Sequence, residues 1–189
     1  MAVHIQRISV EQFEEFVSLP ENADKMFEYI GGEIVEVPSN AYASEIGFEI
    51  GFHIKLYLNQ NHIDGHITGE HGGYKVSGER YAPDVGYISA ARQPELDREG
   101  YNSLPPDLAV EVDYPSTVKS KETLMVKVAN YLAAGTVVWV VYPERHEIEV
   151  YAPGQPVKIL DADDTLDGGG VLPGFTLPVK DIFREQQAS

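Results

Sequence analysis

The sequence predicts a single α/β domain, from its overall composition and from two kinds of apolar pattern. Its 189 residues are 43% hydrophobic, which is enough for one sizeable core because a chain of this length buries about 70% of its unfolded surface. Two stretches, at about residues 43–58 and 119–134, have the apolar spacing of amphipathic helices. Residues 136–142 (TVVWVVY) are instead apolar on both faces, which is typical of a central, fully buried strand.

The N-terminal half predicts two helices and several short strands. Residues 11–19 have the spacing of a short amphipathic helix, and residues 27–37 predict a hairpin around their Gly-Gly pair. Residues 38–40 (Pro-Ser-Asn) should end that hairpin and cap the helix at 43–58. In this helix Ile or Leu recurs every four residues, and the aromatic residues nearby predict a wide buried face. Short β-prone runs separated by Gly-rich turns follow over residues 62–90.

The C-terminal half predicts the strands that complete the sheet. Residues 108–114 (LAVEVDY) predict a strand that Pro115 should end. The helix at 119–134 should stop at the glycine that follows it. Residues 146–152 alternate between polar and apolar side chains, and we expect them to pair with the central strand across a turn at 143–145.

Charge and composition narrow the classes of function. The chain has 30 Asp and Glu against 14 Lys and Arg, a net charge of -16, which argues against broad, nonspecific binding to phosphates. It has no cysteine, which excludes disulfides, thiolate zinc sites and cysteine nucleophiles and fits a reducing cytoplasm. No apolar run approaches the roughly 18 residues of a membrane span, and no secretory signal is visible. We therefore expect a cytoplasmic protein without a membrane partner.

Three ionisable residues stand where an ordinary core would not place them. Asp84 opens a β-prone run directly after a proline, and Glu111 interrupts the apolar strand LAVEV. The two-residue period of a strand puts Asp113 on the same face as Glu111. Lys127 falls on the apolar face of its helix, where a charge is unfavourable unless it is paired or used.

Two carboxylates on neighbouring strands with a nearby Lys have a chemical use. Mg²⁺ prefers one or two carboxylates, with waters and substrate phosphate oxygens as its other ligands. The ion can activate a water and stabilise charge on a phosphate that is being cleaved. Spacing alone leaves a second interpretation open, in which Lys127 forms an ordinary ion pair with Glu111 or Glu122 and Asp84 merely begins a strand.

The order of several short motifs resembles a known family. FEYIGGEIVEV, APDVGYIS, PPDLAVEVDYPST, KVANYLAAGTVVWVVYP and VLPGF occur in this order, as in the bacterial Uma-two family of putative restriction endonucleases, within the PD-(D/E)XK nuclease-like superfamily. The resemblance covers about residues 10–184 of a single domain that spans 1–189. It implies a restriction-endonuclease-like α/β fold, with a mixed central sheet between the helices at 43–58 and 119–134. The N-terminal hairpin and the C-terminal strands should extend this sheet.

The resemblance also implies an activity and its residues. In such proteins the Asp of the Pro-Asp pair and the Glu of the next strand bind a divalent metal, and the Lys often moves from the strand to the following helix. Carried over, these are Asp84, Glu111 and Lys127. The expected reaction is hydrolysis of DNA phosphodiester bonds with Mg²⁺ or Mn²⁺, in which Lys127 orients or activates the attacking water.

Other acidic residues could be additional metal ligands. Asp113 stands where the superfamily has its Lys, two residues after the Glu, and could be a third carboxylate ligand or a polar strand end. Superfamily members often carry an acidic residue on the first core helix, where this chain has Glu45 and Glu49. Glu70 could approach from the neighbouring strand. For these three glutamates a solvated surface role remains the alternative.

Two rival functions follow from the acidity of the chain. The first is a catalytically idle member of the fold that acts as a binding or assembly module, since nucleases usually show a basic groove. The second is a metal-dependent hydrolase of small phosphate esters or nucleotides, because acidity deters duplex DNA more than a small metal-bound substrate. The aromatic residues are not interleaved with Lys or Arg, so no single-strand stacking platform is expected. The numerous apolar β-runs would allow a homodimer.

Overall fold

The computed structural model describes residues 7–37, 40–113 and 118–183. Within these ranges the chain forms three α-helices, α1 (Val10–Val17), α2 (Ala41–Gln60) and α3 (Val118–Ala133). It also forms twelve strands: β1 (Phe27–Ile30), β2 (Glu33–Glu36), β3 (Gly65–Gly69), β4 (Tyr74–Val76), β5 (Glu79–Tyr81), β6 (Val85–Ser89), β7 (Leu108–Val112), β8 (Val137–Tyr142), β9 (Glu147–Tyr151), β10 (Lys158–Leu160), β11 (Thr165–Asp167) and β12 (Thr176–Pro178). None of the helices in the described part is long and apolar enough to cross a membrane.

The central sheet is mixed, as the sequence predicts. Its six strands lie in the order β10-β9-β8-β7-β6-β3. β7 and β8 are parallel, and the other neighbouring strands in this sheet are antiparallel. A parallel pair needs a crossover connection, and α3 lies in that connection between β7 and β8. The strand predicted at 136–142 is confirmed as a central one.

The two faces of this sheet are covered by different helices. Helix α2 buries Ile46, Ile50, Ile54 and Leu58 against one face, next to Val110 and Trp139. Helix α3 covers the other face, where Leu124 and Val128 lie in the same buried cluster as Val138. Alternate residues of β7 and β8 therefore point towards α2 and towards α3.

The buried face of α2 is narrower than expected. Ile46 and Ile50 are buried, whereas Phe48 and Phe52 are 73% and 50% exposed. Each Phe follows a core position by two residues, which is about 200° around an α-helix. The prediction that the aromatic residues widen the buried face is therefore wrong, and they lie on another side of the helix.

The expectation that the N-terminal hairpin extends the central sheet is also wrong. The hairpin β1–β2 belongs to a second sheet of four strands, in the order β2-β1-β5-β4. β1 pairs with β2 on one side and, at Tyr29 and Arg80, with β5 on the other, so it has no edge left for the central sheet. At the C-terminal end β9 and β10 do extend the central sheet, but β11 and β12 pair only with each other.

Local signals fix the start of α2 and the end of α3. The Asn40 side chain accepts hydrogen bonds from the backbone N–H groups of Tyr42 and Ala43, as an N-cap residue should. Gly135, with φ of 82°, follows the end of α3 in the left-handed conformation that favours glycine. The predicted roles of Pro38, Ser39 and Pro115 fall outside the described residues.

Candidate active site

Strands β6 and β7 bring Asp84 and Glu111 to the same end of the central sheet. Val85 pairs with Val110 in the antiparallel register, and this register, continued by one residue, places Asp84 opposite Glu111. The backbone N–H of Val112 donates to Asp84 Oδ2 at 2.7 Å. The charge of Asp84 contributes to the raised pKa of Glu111. The two predicted carboxylates therefore interact electrostatically at this end of the sheet.

Lys127 reaches Glu111 from helix α3. Its Nζ donates to Glu111 Oε2 at 2.6 Å and to Glu28 Oε1 at 2.8 Å. One helical turn later Tyr131 donates its hydroxyl to Glu111 Oε1 at 3.1 Å. We call Glu28, Glu111, Lys127 and Tyr131 the buried ionic cluster, because each is less than a tenth exposed. Of the two ion-pair partners that the sequence left open for Lys127, the structure has Glu111, and Glu122 is exposed.

Glu28 is the charged member of this cluster that sequence reasoning missed. It lies on β1 of the second sheet, and its Oε1 also accepts a hydrogen bond from the N–H of Ala82 at 2.7 Å. Glu28 thus ties the second sheet both to Lys127 and to the backbone just before Asp84. The signal was weak: Glu28 shares its strand face with Ile30, so it is an acidic residue on an otherwise apolar face.

The pKa values at this site depend mainly on burial. Burial raises the pKa of Asp84 to about 6, although the Val112 N–H and the Lys127 charge act in the opposite direction. Burial likewise raises the pKa of Glu111 above its usual range, with Lys127 again opposing. Burial alone would lower the pKa of Lys127, but the charges of Glu111 and Glu28 more than reverse this effect. Lys127 therefore stays protonated.

Among the residues whose side chains the structure describes, the carboxylates at this site outnumber the cations. Glu28, Glu111 and Asp84 face one described ammonium group, that of Lys127. When all are ionised, two negative charges remain uncompensated, which is the charge that one divalent cation would balance. Buried unpaired charge is costly, so this imbalance favours either bound protons or a bound cation.

The donor set suits a hard cation that keeps part of its water shell. Among residues 7–37, 40–113 and 118–183, no group of three or more His, Asp or Glu side chains is arranged to hold a metal ion. Mg²⁺ needs only one or two carboxylates beside waters and substrate oxygens, and Asp84 and Glu111 provide two. Both Glu111 oxygens already accept hydrogen bonds, but a carboxylate has about four lone-pair sites. These residues therefore fit Mg²⁺ or Mn²⁺.

Asp113 adjoins a different set of charges. It follows β7, and its N–H donates to the carbonyl of Val141 at 2.8 Å. Burial raises its pKa, while the charges of Arg145 and Lys121 lower it. These cations lie outside the buried ionic cluster, so the structure supports the polar strand-end role of Asp113 more than a third ligand position.

The three predicted glutamates differ in their placement. Glu45 is exposed on α2, and Glu49 Oε1 lies 3.2 Å from His53 Nε2 on the same helix. The charge of Glu70 contributes to the raised pKa of Asp84, and both residues line one groove. Of the three, Glu70 is therefore the one with a described electrostatic link to Asp84.

That groove reaches Asp84, one of the two candidate metal ligands. It has a volume of about 620 Å³ and is bounded on one side by α2, including Phe48, Phe52 and Lys55, and on the other by residues 67–72. Asp84 forms part of its lining. A volume of several hundred Å³ is typical of ligand-binding clefts.

A solved structure has the same fold. It is the crystal structure of a putative nuclease belonging to DUF820 from Anabaena variabilis, which superposes with a TM-score of 0.74 and 24% sequence identity. The superposition covers 90% of this chain and 96% of that chain. Among curated proteins, none is similar enough to count as a relative.

A family model also matches. The model Uma2, described as putative restriction endonuclease, matches residues 13–180. These residues include Asp84 and the whole buried ionic cluster. The resemblance on which the sequence prediction relied is therefore confirmed.

Proposed function

The chain belongs to the Uma2 family, and we propose that it is a nuclease that hydrolyses DNA phosphodiester bonds with a divalent cation, Mg²⁺ or Mn²⁺, held by Asp84 and Glu111. The observation that supports this most is the excess of carboxylate over ammonium charge among the described residues around Lys127, together with the position of Asp84 in the lining of a groove. A site built only to stabilise the fold would have balanced charges, because uncompensated buried charge is destabilising.

Each residue has a separate task in this proposal. When bound, the cation lowers the pKa of a coordinated water and stabilises negative charge on the phosphate. Asp84 is held by the Val112 N–H through Oδ2, and its carboxylate would be one ligand of the cation. Glu111 is oriented by Lys127 and Tyr131.

Lys127 acts as a cation in this mechanism. An ammonium group has three N–H donors, and Glu28 and Glu111 take two of them. The third donates to the attacking water or to a phosphate oxygen. Because its pKa is raised, Lys127 remains charged and does not act as a general base. It orients the water and stabilises the charge that develops in the transition state.

Two observations favour a second candidate, a hydrolase of small phosphate esters or nucleotides. The groove of about 620 Å³ lies in the range of small-ligand sites, and the net charge of -16 opposes the approach of duplex DNA. The same two carboxylates would serve that reaction. The idle-module rival is less well supported, because the proposed cation ligands and Lys127 all lie together.

Nuclease assays on matched variants test the proposal. Wild type, Asp84→Asn and Glu111→Gln are incubated with DNA and with nucleotides in Mg²⁺, and hydrolysis is measured. Both variants should fall to background because each loses a cation ligand, whereas Glu122→Gln, on the exposed side of α3, should remain as active as wild type. Full activity in both site variants would contradict the assignment.

A further inference from the structure

The groove beside Asp84 presents two exposed aromatic side chains. Phe48 and Phe52 of α2 are 73% and 50% exposed, and both line the groove. Burial of a Phe side chain is worth roughly 1.5–3 kcal/mol. Two such side chains on one wall of a groove therefore indicate a surface that a ligand covers.

The wall has a regular arrangement along the helix. Phe48, Phe52 and Lys55 follow one another at spacings of four and three residues, which puts them on one side of α2. Lys55 is exposed and lines the same groove. The aromatic and basic residues that looked unrelated in the sequence are thus combined by the helix into one strip.

Two glycines bring this strip close to Asp84. A Cβ atom at Gly47 would lie 3.3 Å from Asp84 Cβ, and one at Gly51 would lie 3.6 Å from Val85 Cγ1. Helix α2 therefore runs in direct contact with the start of β6. With a rise of about 1.5 Å per residue, Lys55 lies roughly 12 Å along the helix from the level of Asp84.

We propose that this groove binds unpaired nucleotides, with bases stacked on Phe48 and Phe52 and the phosphate backbone running between Asp84 and Lys55. The inference rests on the proposed nuclease function, for which it names the form of the substrate. Stacking on aromatic side chains is tolerant of sequence, and Lys55 provides a positive charge for the phosphate backbone on the same wall of the groove.

The same features disfavour other occupants. A duplex keeps its bases stacked on one another and carries its phosphates at a higher charge density than a single strand does, whereas Lys55 is the one Lys or Arg among the described residues that line the groove. A second copy of the chain would cover Phe48 and Phe52 but would give no role to the continuity of the groove with Asp84. Glu70 and His71 on the opposite wall add polar groups that suit the edges of bases.

Fluorescence anisotropy with labelled oligonucleotides tests this inference. Single-stranded DNA, single-stranded RNA and duplex DNA of one sequence are titrated with the full chain in Ca²⁺, a hard cation with oxygen ligands like Mg²⁺. Wild type should bind at least one single strand more tightly than the duplex. Phe48→Ala and Phe52→Ala should each weaken that binding about 5- to 100-fold.

Matched variants separate stacking from a loss of structure. Phe48→Tyr keeps an aromatic ring and should bind as wild type does. Leu56→Ala removes a 39% exposed side chain from the same helix outside the groove lining, and it should also leave binding unchanged. Unchanged binding in both alanine variants, or tighter binding of duplex than of either single strand, would overturn the inference.

The outcomes also distinguish this inference from the proposed function. If Asp84→Asn abolishes cleavage but Phe48→Ala binds single strands normally, the groove assignment fails and the nuclease stands. If Phe48→Ala loses binding while no cleavage is ever detected, the groove assignment stands and the nuclease fails. If Phe48→Ala converts a dimer into a monomer in sedimentation and leaves oligonucleotide binding intact, the strip is an interface between copies and the inference is overturned.

Discussion

The two faces of strand β7 differ in chemistry although they belong to the same five residues. Leu108 and Val110 face α2 within an apolar core, whereas Glu111 faces α3 and meets Lys127. The apolar face lacks charges and gives stability through burial. The ionic face holds excess negative charge, which lowers stability without a cation but makes binding of one favourable. Along β7 the apolar face therefore stabilises the fold, and Glu111 on the other face supplies one of the two proposed cation ligands.

The largest change in stability should come from removing the ammonium group of Lys127, on the ionic face. Lys127→Met leaves Glu28 and Glu111 without their ammonium partner, and breaking a buried ion pair on one side costs about 3–5 kcal/mol. Urea denaturation should show this loss in the free energy of unfolding at neutral pH. Lys121→Met, on the exposed side of α3, should change it by less than about 0.5 kcal/mol. A Lys127→Met variant as stable as wild type would show that the cluster is not a charged one.

Asp84→Asn should instead stabilise the protein without a cation, and only at higher pH. The folded protein holds the Asp84 proton with a pKa of about 6, against a usual value of 3.8. Tighter binding of this proton by the folded state stabilises the protein. The stabilisation is complete below about pH 4 and is lost as the pH rises through about 6. The Asn variant does not lose this stability, so near pH 8 in EDTA its free energy of unfolding should exceed that of wild type by about 3 kcal/mol.

Two controls accompany this prediction. Near pH 4 wild type and Asp84→Asn should have nearly the same free energy of unfolding, and the exposed Asp24→Asn should match wild type at both pH values. An Asp84→Asn variant that is less stable than wild type near pH 8 would mean that the carboxylate stabilises the fold.

Glu28→Gln should lower activity while the fold is kept. The amide oxygen can still accept hydrogen bonds from Ala82 and Lys127, but it lacks the charge that orients the ammonium group. Loss of such a supporting partner typically costs at least about tenfold. We expect this loss in kcat, with little change in KM. Glu36→Gln, on the exposed outer strand of the same sheet, should not change either constant.

The smallest loss of stability should come from a conservative substitution on the apolar face of the sheet. Ile54 is fully buried on α2, and Ile54→Val should cost about 1 kcal/mol of stability. Because this change lies on the other side of the sheet from Lys127, cation binding by calorimetry should be unchanged. A clear loss of cation binding in Ile54→Val would show that the two faces are coupled.

Local patterns in the sequence predicted most of the fold. The four-residue recurrence of Ile and Leu predicted α2, and the doubly apolar run 136–142 predicted a central strand. Lys127 stood out because a charge interrupted an apolar helix face, which is a local signal. Those predictions depended on residues that are close together in the chain.

The errors concern contacts between distant parts of the chain. Glu28 meets Lys127 across 99 positions, and β1 pairs with β5 rather than with the central sheet. No periodicity within a strand reveals which sheet it will join. The exposure of Phe48 and Phe52 was missed for a different reason, since apolar character was taken for burial without following the angle around the helix.

Isothermal titration of Mn²⁺ tests the central claim most directly, because it requires no knowledge of the substrate. It is best done near pH 7.5, above the pKa of Asp84, and in two buffers of different ionisation enthalpy, because the raised pKa of Glu111 means that cation binding there also releases a proton. Wild type and Glu122→Gln should bind the ion, and Glu111→Gln and Asp84→Asn should lose that binding. Absence of binding in wild type, or equal binding in wild type and Glu111→Gln, would contradict a cation site at these two carboxylates.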